Sequence, residues 1–144
     1  MSCSEFKVHS AKQLTVLLDG GKLDKLFRKL NKRCVKLRAW SQQRVGCDEF
    51  VLKLVSTNST LKELECLLSD LCLKSSCDKV LIVELPNDNS NLEVRNRLRR
   101  HVDVIASYLD RCGNGVFQVS SYKDAKRALT DESEESRDHR PCDC

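Results

Sequence analysis

Glycine and proline are scarce in this sequence, with five glycines and two prolines among 144 residues. Their scarcity excludes collagen-like chains and argues against most small all-β folds, which need many turns. Aromatic residues make up only 5% of the chain, so few side chains are available to stack on bases. No apolar run approaches the roughly 18 residues of a membrane-spanning helix. The first ten residues lack the apolar segment of a signal peptide.

Motifs of catalysis and metal binding are also missing. The sequence has no Gly-rich phosphate loop, no Gly-x-Ser-x-Gly turn and no kinase signature. It has no Cys-x-x-Cys, and its three histidines keep no ligand spacing with any cysteine. We therefore expect no metal, no cofactor and no enzymatic activity. A small enzyme with a cysteine nucleophile is the catalytic alternative.

Nine cysteines, an odd number, occur without an export signal. Several occupy positions where apolar residues are expected, so we predict free, buried thiols in the reducing cytoplasm rather than disulfides. Cys142 and Cys144 form a terminal Cys-x-Cys. We interpret it as part of an exposed tail, with lipid attachment as the alternative.

The net charge of +4 is unevenly distributed. Residues 22–44 carry nine Lys or Arg against Asp24 alone, and 95–101 carry four Arg. Such runs are typical of surfaces that bind nucleic acid, acidic lipid or an acidic protein face. A solvated helix face is the alternative. Residues 130–144 reverse the sign, with six acidic and two basic residues, and are expected to form a disordered acidic tail.

The spacing of apolar residues predicts mostly helices. We expect helices in the first half at 11–18, 23–30, 34–40, 47–55 and 60–74. Asp19-Gly20-Gly21 is expected to separate the first two. Thr60 followed by Glu63 is the strongest start signal, because the hydroxyl can cap the helix while the glutamate reaches back to the cap residue.

The second half is less regular, and no internal repeat is visible. Lys79–Leu85 is short and rich in β-branched residues, so periodicity allows either a buried strand or a short helix. A long helix is predicted over 92–110, a short strand over 116–119 and a short helix over 123–129.

Residues 6–85 resemble a death domain, the six-helix bundle of apoptotic and innate-immune adaptors. Leu26 and Leu30 match the two leucines of that family's second helix. The closest likeness is Glu49–Val55, a small-residue turn and then Thr60–Leu68. These segments look like the fourth and fifth helices in the death domains of interleukin-receptor-associated kinases, the Toll-pathway adaptor and the paracaspase.

The resemblance implies a mainly α fold with a death-domain-like bundle at 6–85. A C-terminal extension would follow at 86–129, containing the long helix 92–110, and then the tail at 130–144. The alternative is an α+β fold, in which 78–129 form a β-α-β-α unit that resembles the start of a Toll/interleukin-receptor domain.

The death-domain likeness implies a cytosolic signalling adaptor that assembles by homotypic contacts in apoptosis or innate immunity. Complementary charged faces would select its protein partners or a second copy. Candidate interaction residues on these faces are Lys25, Arg28, Lys29, Lys32, Arg33, Glu63, Glu65, Asp70, Arg95, Arg99 and Arg100. The alternative is a nucleic-acid-binding accessory protein that uses the basic helices 22–44 and 95–101.

Overall fold

A computed structural model describes residues 6–87 and 89–130 of the chain. This part of the chain contains six strands and four helices. Its strands are β1 Val8–Leu18, β2 Leu37–Arg44, β3 Phe50–Ser56, β4 Ser75–Val83, β5 Val104–Leu109 and β6 Gly115–Val119. Its helices are α1 Gly20–Lys32, α2 Leu61–Asp70, α3 Ser90–Arg99 and α4 Tyr122–Thr130. The strands follow the sheet order β2-β3-β1-β4-β6-β5.

The fold is therefore α+β, and the prediction of a mainly α, six-helix death-fold bundle is wrong. Only the α+β alternative agrees with the six-stranded antiparallel sheet. The order strand–helix–strand–strand–helix also occurs twice, once from β1 to α2 and once from β4 to α4. This repeat is one of topology, and it is not visible in the residues themselves.

The chain divides into two compact units. The central unit is Ala11–Asp78, and the terminal unit joins the start of the chain, up to Ser10, to the residues from Lys79 onward. These bounds differ from the predicted divisions at 6–85 and 86–129. Apart from Thr130, the predicted acidic tail lies outside the described residues.

In the central unit, one face of the strands packs against α1 and α2. Leu14, Val16 and Leu18 of β1 alternate with more exposed residues, as expected of a strand with one face on a core. Leu14 lies opposite Leu54 of β3, which is also fully buried. The helices add buried leucines to this core, namely Leu23, Leu26, Leu30, Leu64, Leu67 and Leu68.

The terminal unit has its own core. Leu81 of β4 lies opposite Phe117 of β6, and both pack with buried residues of α3 and α4. The start of the chain belongs to this unit through two backbone hydrogen bonds. The amide of Phe6 donates to the carbonyl oxygen of Leu129 at 3.1 Å, and the amide of Glu84 donates to that of Lys7 at 3.0 Å.

Helices α1 and α2 end in the same backbone motif. Cys34 and Cys72 each lie two residues beyond the last helical residue and have positive φ angles of 55° and 58°. The following residue in each case donates its amide back to a carbonyl of the last helical turn, at 3.0 Å for Val35 and 2.9 Å for Leu73. This is a Schellman motif, in which the left-handed position is usually occupied by glycine.

Three predicted helices are strands, at 11–18, 34–40 and 47–55. The first and third contain apolar residues both at helical spacing and at every second position, and tertiary packing selects the alternating pattern of a strand. In 34–40 the left-handed Cys34 ends the preceding helix, and β2 follows it. The predicted helix at 23–30 is confirmed as the greater part of α1. Asp19 starts this helix rather than separating two.

The predicted long helix 92–110 is also wrong, because it is α3 followed by β5. The amides of His101 and Val102 close the last turn on Leu98, and the β-branched pair Val104-Ile105 opens a strand. The strand reading of 79–85 and the predictions of a strand at 116–119 and a helix at 123–129 are confirmed. Helix α2 follows Thr60 as predicted, but the Thr60 hydroxyl makes no capping hydrogen bond.

The prediction of buried thiols is wrong for the part of the chain that the structure describes. Its cysteines are free but exposed, at positions 34, 47, 66, 72, 77 and 112. They lie at helix ends, in loops and at solvent-facing positions. These positions fall on an apolar face only when the residues are assigned to the wrong helix or strand. The terminal Cys-x-Cys lies outside the described residues.

Candidate ligand site

A cavity of about 470 Å³ opens in the central unit where β1 passes into α1. Three chain segments that lie far apart in sequence form its wall. The lining residues are Leu17, Leu18, Asp19, Lys22, Glu49, Cys72, Leu73 and Lys74.

Strand register explains why these segments meet. Leu18 at the end of β1 lies opposite Phe50 at the start of β3, which places the preceding Glu49 beside the start of α1. The third segment is the link from α2 to β4, whose left-handed Cys72 turns Leu73 toward the core. The end of β1, the start of α1 and the end of α2 therefore lie together at one end of the sheet.

Two carboxylates hold the first turn of α1. The amide of Lys22 donates to Asp19 Oδ1 at 2.8 Å, and the amide of Gly20 donates to Asp48 Oδ1 at 3.1 Å. A Cβ atom on Gly20 would lie 2.9 Å from the same Asp48 oxygen. Glycine therefore allows the close approach of Asp48. The carboxylates also interact favourably with the positive end of the helix dipole.

The cavity wall carries balanced charge. Asp19 and Glu49 supply two carboxylates, and Lys22 and Lys74 supply two ammonium groups, beside an apolar surface from Leu17, which is 57% exposed. The acceptors suit a cationic group and the lysines suit a carboxylate or phosphate. A wall with both can hold a small zwitterion whose side chain rests on the leucine.

A separate polar cluster lies within the central unit. Thr15 lies opposite Lys53 in the β1–β3 pairing, and its hydroxyl oxygen is buried without a hydrogen-bond partner. Burial lowers the pKa of Lys53, and the charge of Asp78 partly opposes this effect. None of the three residues lines the cavity, so we do not include them in the candidate site.

The candidate residues from the sequence lie elsewhere. Lys25, Arg28, Lys29 and Lys32 are on α1, and Arg33 follows it. Glu63, Glu65 and Asp70 are on α2. The structure brings one basic and one acidic member together, with Arg33 Nη2 3.9 Å from Asp70 Oδ2. That pair is exposed and is expected to contribute little to stability.

The remaining candidates belong to the α3 region of the terminal unit. Arg95 donates a hydrogen bond to the Ser107 hydroxyl of β5, whereas Arg99 and Arg100 are exposed at the end of α3. None of the sequence candidates lines the cavity, and their role in protein contacts stays a prediction. Two sequence features reach the cavity: Asp19-Gly20-Gly21, which by itself indicates only a turn, and Lys22, the first residue of the basic run 22–44.

Residues 6–87 and 89–130 show neither a metal site nor a membrane-spanning helix. No group of three or more potential ligand side chains is placed to hold a metal ion. The helices of this part of the chain also lack the length and apolar character that crossing a membrane requires.

Solved structures with this fold exist. Protein BT0572 from Bacteroides thetaiotaomicron superposes with a TM-score of 0.71 at 20% identity, over 85% of this chain and 88% of that one. The ligand-free regulatory subunit of aspartate kinase from Thermus thermophilus gives 0.61 at 10% identity, over 89% and 95%. Aspartate kinase from Synechocystis gives 0.61 at 13% identity, over 88% of this chain and 26% of that one.

The Thermus thermophilus neighbour is a regulatory subunit, and the fold that it shares with this chain is sheet-rich rather than a helical bundle. At these identities the likeness concerns the fold. No protein-family model matches the sequence, and no curated protein is significantly similar to it. The findings overturn the resemblance to death domains. With it fall the adaptor function and the roles in apoptosis and innate immunity, whereas the nucleic-acid alternative, which rested on the basic runs, is not tested.

Proposed function

We propose that this chain is a regulatory domain that binds a small zwitterionic ligand, with a free amino acid as the expected class. The observation that carries the proposal is the charge pattern of the cavity between β1 and α1. Two carboxylates and two lysines line it beside exposed leucine surface.

The fold supports the same conclusion. Among the neighbours, the Thermus thermophilus protein is a regulatory subunit solved in a ligand-free form, so this arrangement of strands and helices occurs in at least one regulatory protein. Fold alone does not define function. The residues of this cavity must therefore supply the specific argument.

In the proposed complex, Lys22 and Lys74 bind the ligand carboxylate. Asp19 and Glu49 accept hydrogen bonds from its ammonium group. Hydrogen bonds to charged groups contribute about 1.5–3 kcal/mol each, and the open, solvated cavity places the contribution at the low end. Two such contacts at about 1.5 kcal/mol give roughly a hundredfold preference for a zwitterion over an analogue lacking both charges.

The proposed domain acts without chemistry of its own. The sequence carries no catalytic motif, so we do not expect the chain to be an enzyme. We expect it to work in the cytoplasm by changing the activity of a protein partner. Binding would order the link between α2 and β4, because Leu73 and Lys74 belong both to the cavity and to the entry of β4.

The test is titration calorimetry of the full chain with each of the common free amino acids. We expect one chemical class to bind, and Lys22→Met and Glu49→Gln each to weaken binding about tenfold or more. Lys62→Met and Glu65→Gln are matched controls, since both side chains are exposed on α2 outside the cavity. Absence of binding by every amino acid would refute the ligand class, and equal losses in the controls would refute the site.

A further inference from the structure

The two edges of the sheet are formed by β2 and β5, and they differ in chemistry. Strand β2 reads Leu-Arg-Ala-Trp-Ser-Gln-Gln-Arg, with two arginines. Strand β5 reads Val-Ile-Ala-Ser-Tyr-Leu, with no charged residue and no proline. Proteins protect free edges with charges and prolines, because unpaired backbone groups otherwise template pairing with another chain. By this criterion β2 is protected and β5 is not.

The β5 edge also exposes apolar side chains. Ile105 is 58% exposed and Leu109 is 55% exposed. Leu92 of α3 is 65% exposed, and the hydrogen bond from Arg95 to Ser107 places this helix beside β5. Half of the large exposed hydrophobic residues of the described chain thus belong to β5 and the adjacent helix.

We infer that β5 is a self-association edge, to which β5 of a second copy adds as an antiparallel strand centred on Ser107. In this register Ser107 faces the Ser107 of the second copy, Ile105 faces Leu109, and the charges of Asp103 and Arg111, which flank the strand on either side, come close together. The two-fold axis makes each unlike pair occur twice. The added strand is β-augmentation by an identical chain.

The residues around Ser107 argue for an identical partner. Two positions to either side of Ser107 stand the exposed apolar residues Ile105 and Leu109, and four positions to either side stand the opposite charges Asp103 and Arg111. Asp103 and Arg111 are both exposed. An antiparallel copy therefore matches apolar with apolar and acid with base, without a second sequence.

The register is specified by the same residues. A shift of one residue in one direction would place Arg111 opposite the buried Val102 and Asp103 opposite Asp110, whose carboxylate is held within its own turn. A shift in the other direction would place Ile105 opposite Asp110. Only the register centred on Ser107 satisfies both the apolar and the charged pairs.

The central part of β5 is regular, whereas Ile105 lies at a bulge and Arg111 lies in the turn after the strand. A bulge interrupts the β5–β6 register between Val104 and Ala106, and bulges increase strand twist. Beyond it, the residues from Ala106 to Leu109 pair regularly with those from Gln118 back to Gly115. The centre of the proposed interface lies in this regular part.

Sedimentation equilibrium of the full chain, from low micromolar to submillimolar concentration, tests the inference. We expect a reversible dimer that weakens with salt. Ile105→Lys and Leu109→Lys should each weaken dimerisation by tenfold or more, because each places a charge opposite an apolar side chain of the second copy. Val45→Lys is the control, since it adds the same charge at an exposed apolar residue outside β5.

A charge swap decides the register. Asp103→Arg and Arg111→Asp should each weaken the dimer severalfold, and the double variant should restore it, because each arginine again comes close to an aspartate. Circular dichroism checks that each variant is folded, and the two lysine variants are independent of each other. A monomer at every concentration overturns the inference, as does a dimer that both lysine variants leave intact. Failure of the double variant to restore association overturns the register.

This interface does not depend on the ligand site, since every residue that it uses lies in the terminal unit. A protein that dimerises but binds no amino acid would support the interface and refute the proposed function. The reverse result would do the opposite. The two proposals can therefore fail separately.

Discussion

Replacing Cys34 and Cys72 by glycine should stabilise the protein. Both residues have positive φ, near 55° and 58°, where the Cβ atom of an L-residue is crowded by its own backbone. This conformation costs about 1–2 kcal/mol for a residue other than glycine. Glycine removes the cost but adds about 0.4–1 kcal/mol of backbone entropy to the unfolded chain. The expected net gain is about 0.5–1 kcal/mol for each substitution.

Little else should change at these two positions. Both cysteines are exposed and free, so glycine removes no buried side chain and no disulfide. Their backbone amides donate to Asn31 and Ser69, and glycine retains both hydrogen bonds. For a domain of this size, a gain of 1 kcal/mol corresponds to roughly 4 °C in Tm.

Urea unfolding under reducing conditions measures the effect as a shift in midpoint without a change in slope. Two controls isolate the backbone. Cys34→Ala keeps the Cβ atom and should leave stability nearly unchanged. Cys66→Gly, in the middle of α2, should cost about 0.5 kcal/mol, because glycine is a poor helix former. The reasoning is refuted if alanine stabilises as much as glycine at position 34, or if neither glycine variant is more stable.

Two further predictions concern a glycine and a tyrosine. Gly20→Ala should destabilise by about 1 kcal/mol, because its Cβ atom would displace the Asp48 carboxylate from the Gly20 amide. In urea unfolding, adding Asp48→Ala to this variant should therefore lower the free energy of unfolding little further. Full additivity of the two substitutions would contradict the shared contact. Burial raises the pKa of Tyr108 above its ordinary value of 10, so its stabilising contribution is complete below pH 10 and is lost as the pH rises toward the folded-state pKa. The free energy of unfolding should therefore fall less steeply above pH 10 in Tyr108→Phe than in the parent, and identical slopes would show that this phenol is accessible.

The helices were easier to predict than the strands. Leu23, Leu26 and Leu30 of α1 fit only the helical period, and they are buried as predicted. In β1, by contrast, the residues 14, 17 and 18 fit a helix while 14, 16 and 18 fit a strand. The sequence cannot choose between these periods, because the choice depends on the strands that pair with β1.

The boundary between α3 and β5 was not predicted, for a similar reason. Leu98, Val102, Ile105 and Leu109 are spaced as on one helix face, although a turn after Arg99 divides them. Leu98 and Val102 are buried, whereas Ile105 and Leu109 are exposed. The helical spacing was therefore accidental beyond the turn.

The cavity was outside the reach of sequence analysis. Its carboxylates and lysines come from three segments around residues 17–22, 49 and 72–74. Their proximity follows from the antiparallel pairing of β1 with β3 and from the return of α2 into β4. Without that pairing, Glu49 and Lys74 are ordinary surface charges, and the basic run of 22–44 is the more conspicuous feature.

The two hydrogen bonds that join Phe6 and Lys7 to Leu129 and Glu84 also set an order of events during synthesis. The central unit, Ala11–Asp78, is complete in the chain well before α4 emerges from the ribosome. Phe6, which precedes β1, must wait for nearly the whole described chain before it meets Leu129. The slow, non-local step of folding is thus the closure of the terminal unit, and a ribosome stalled before α4 would hold a nascent chain with its central unit folded and its amino terminus unpaired.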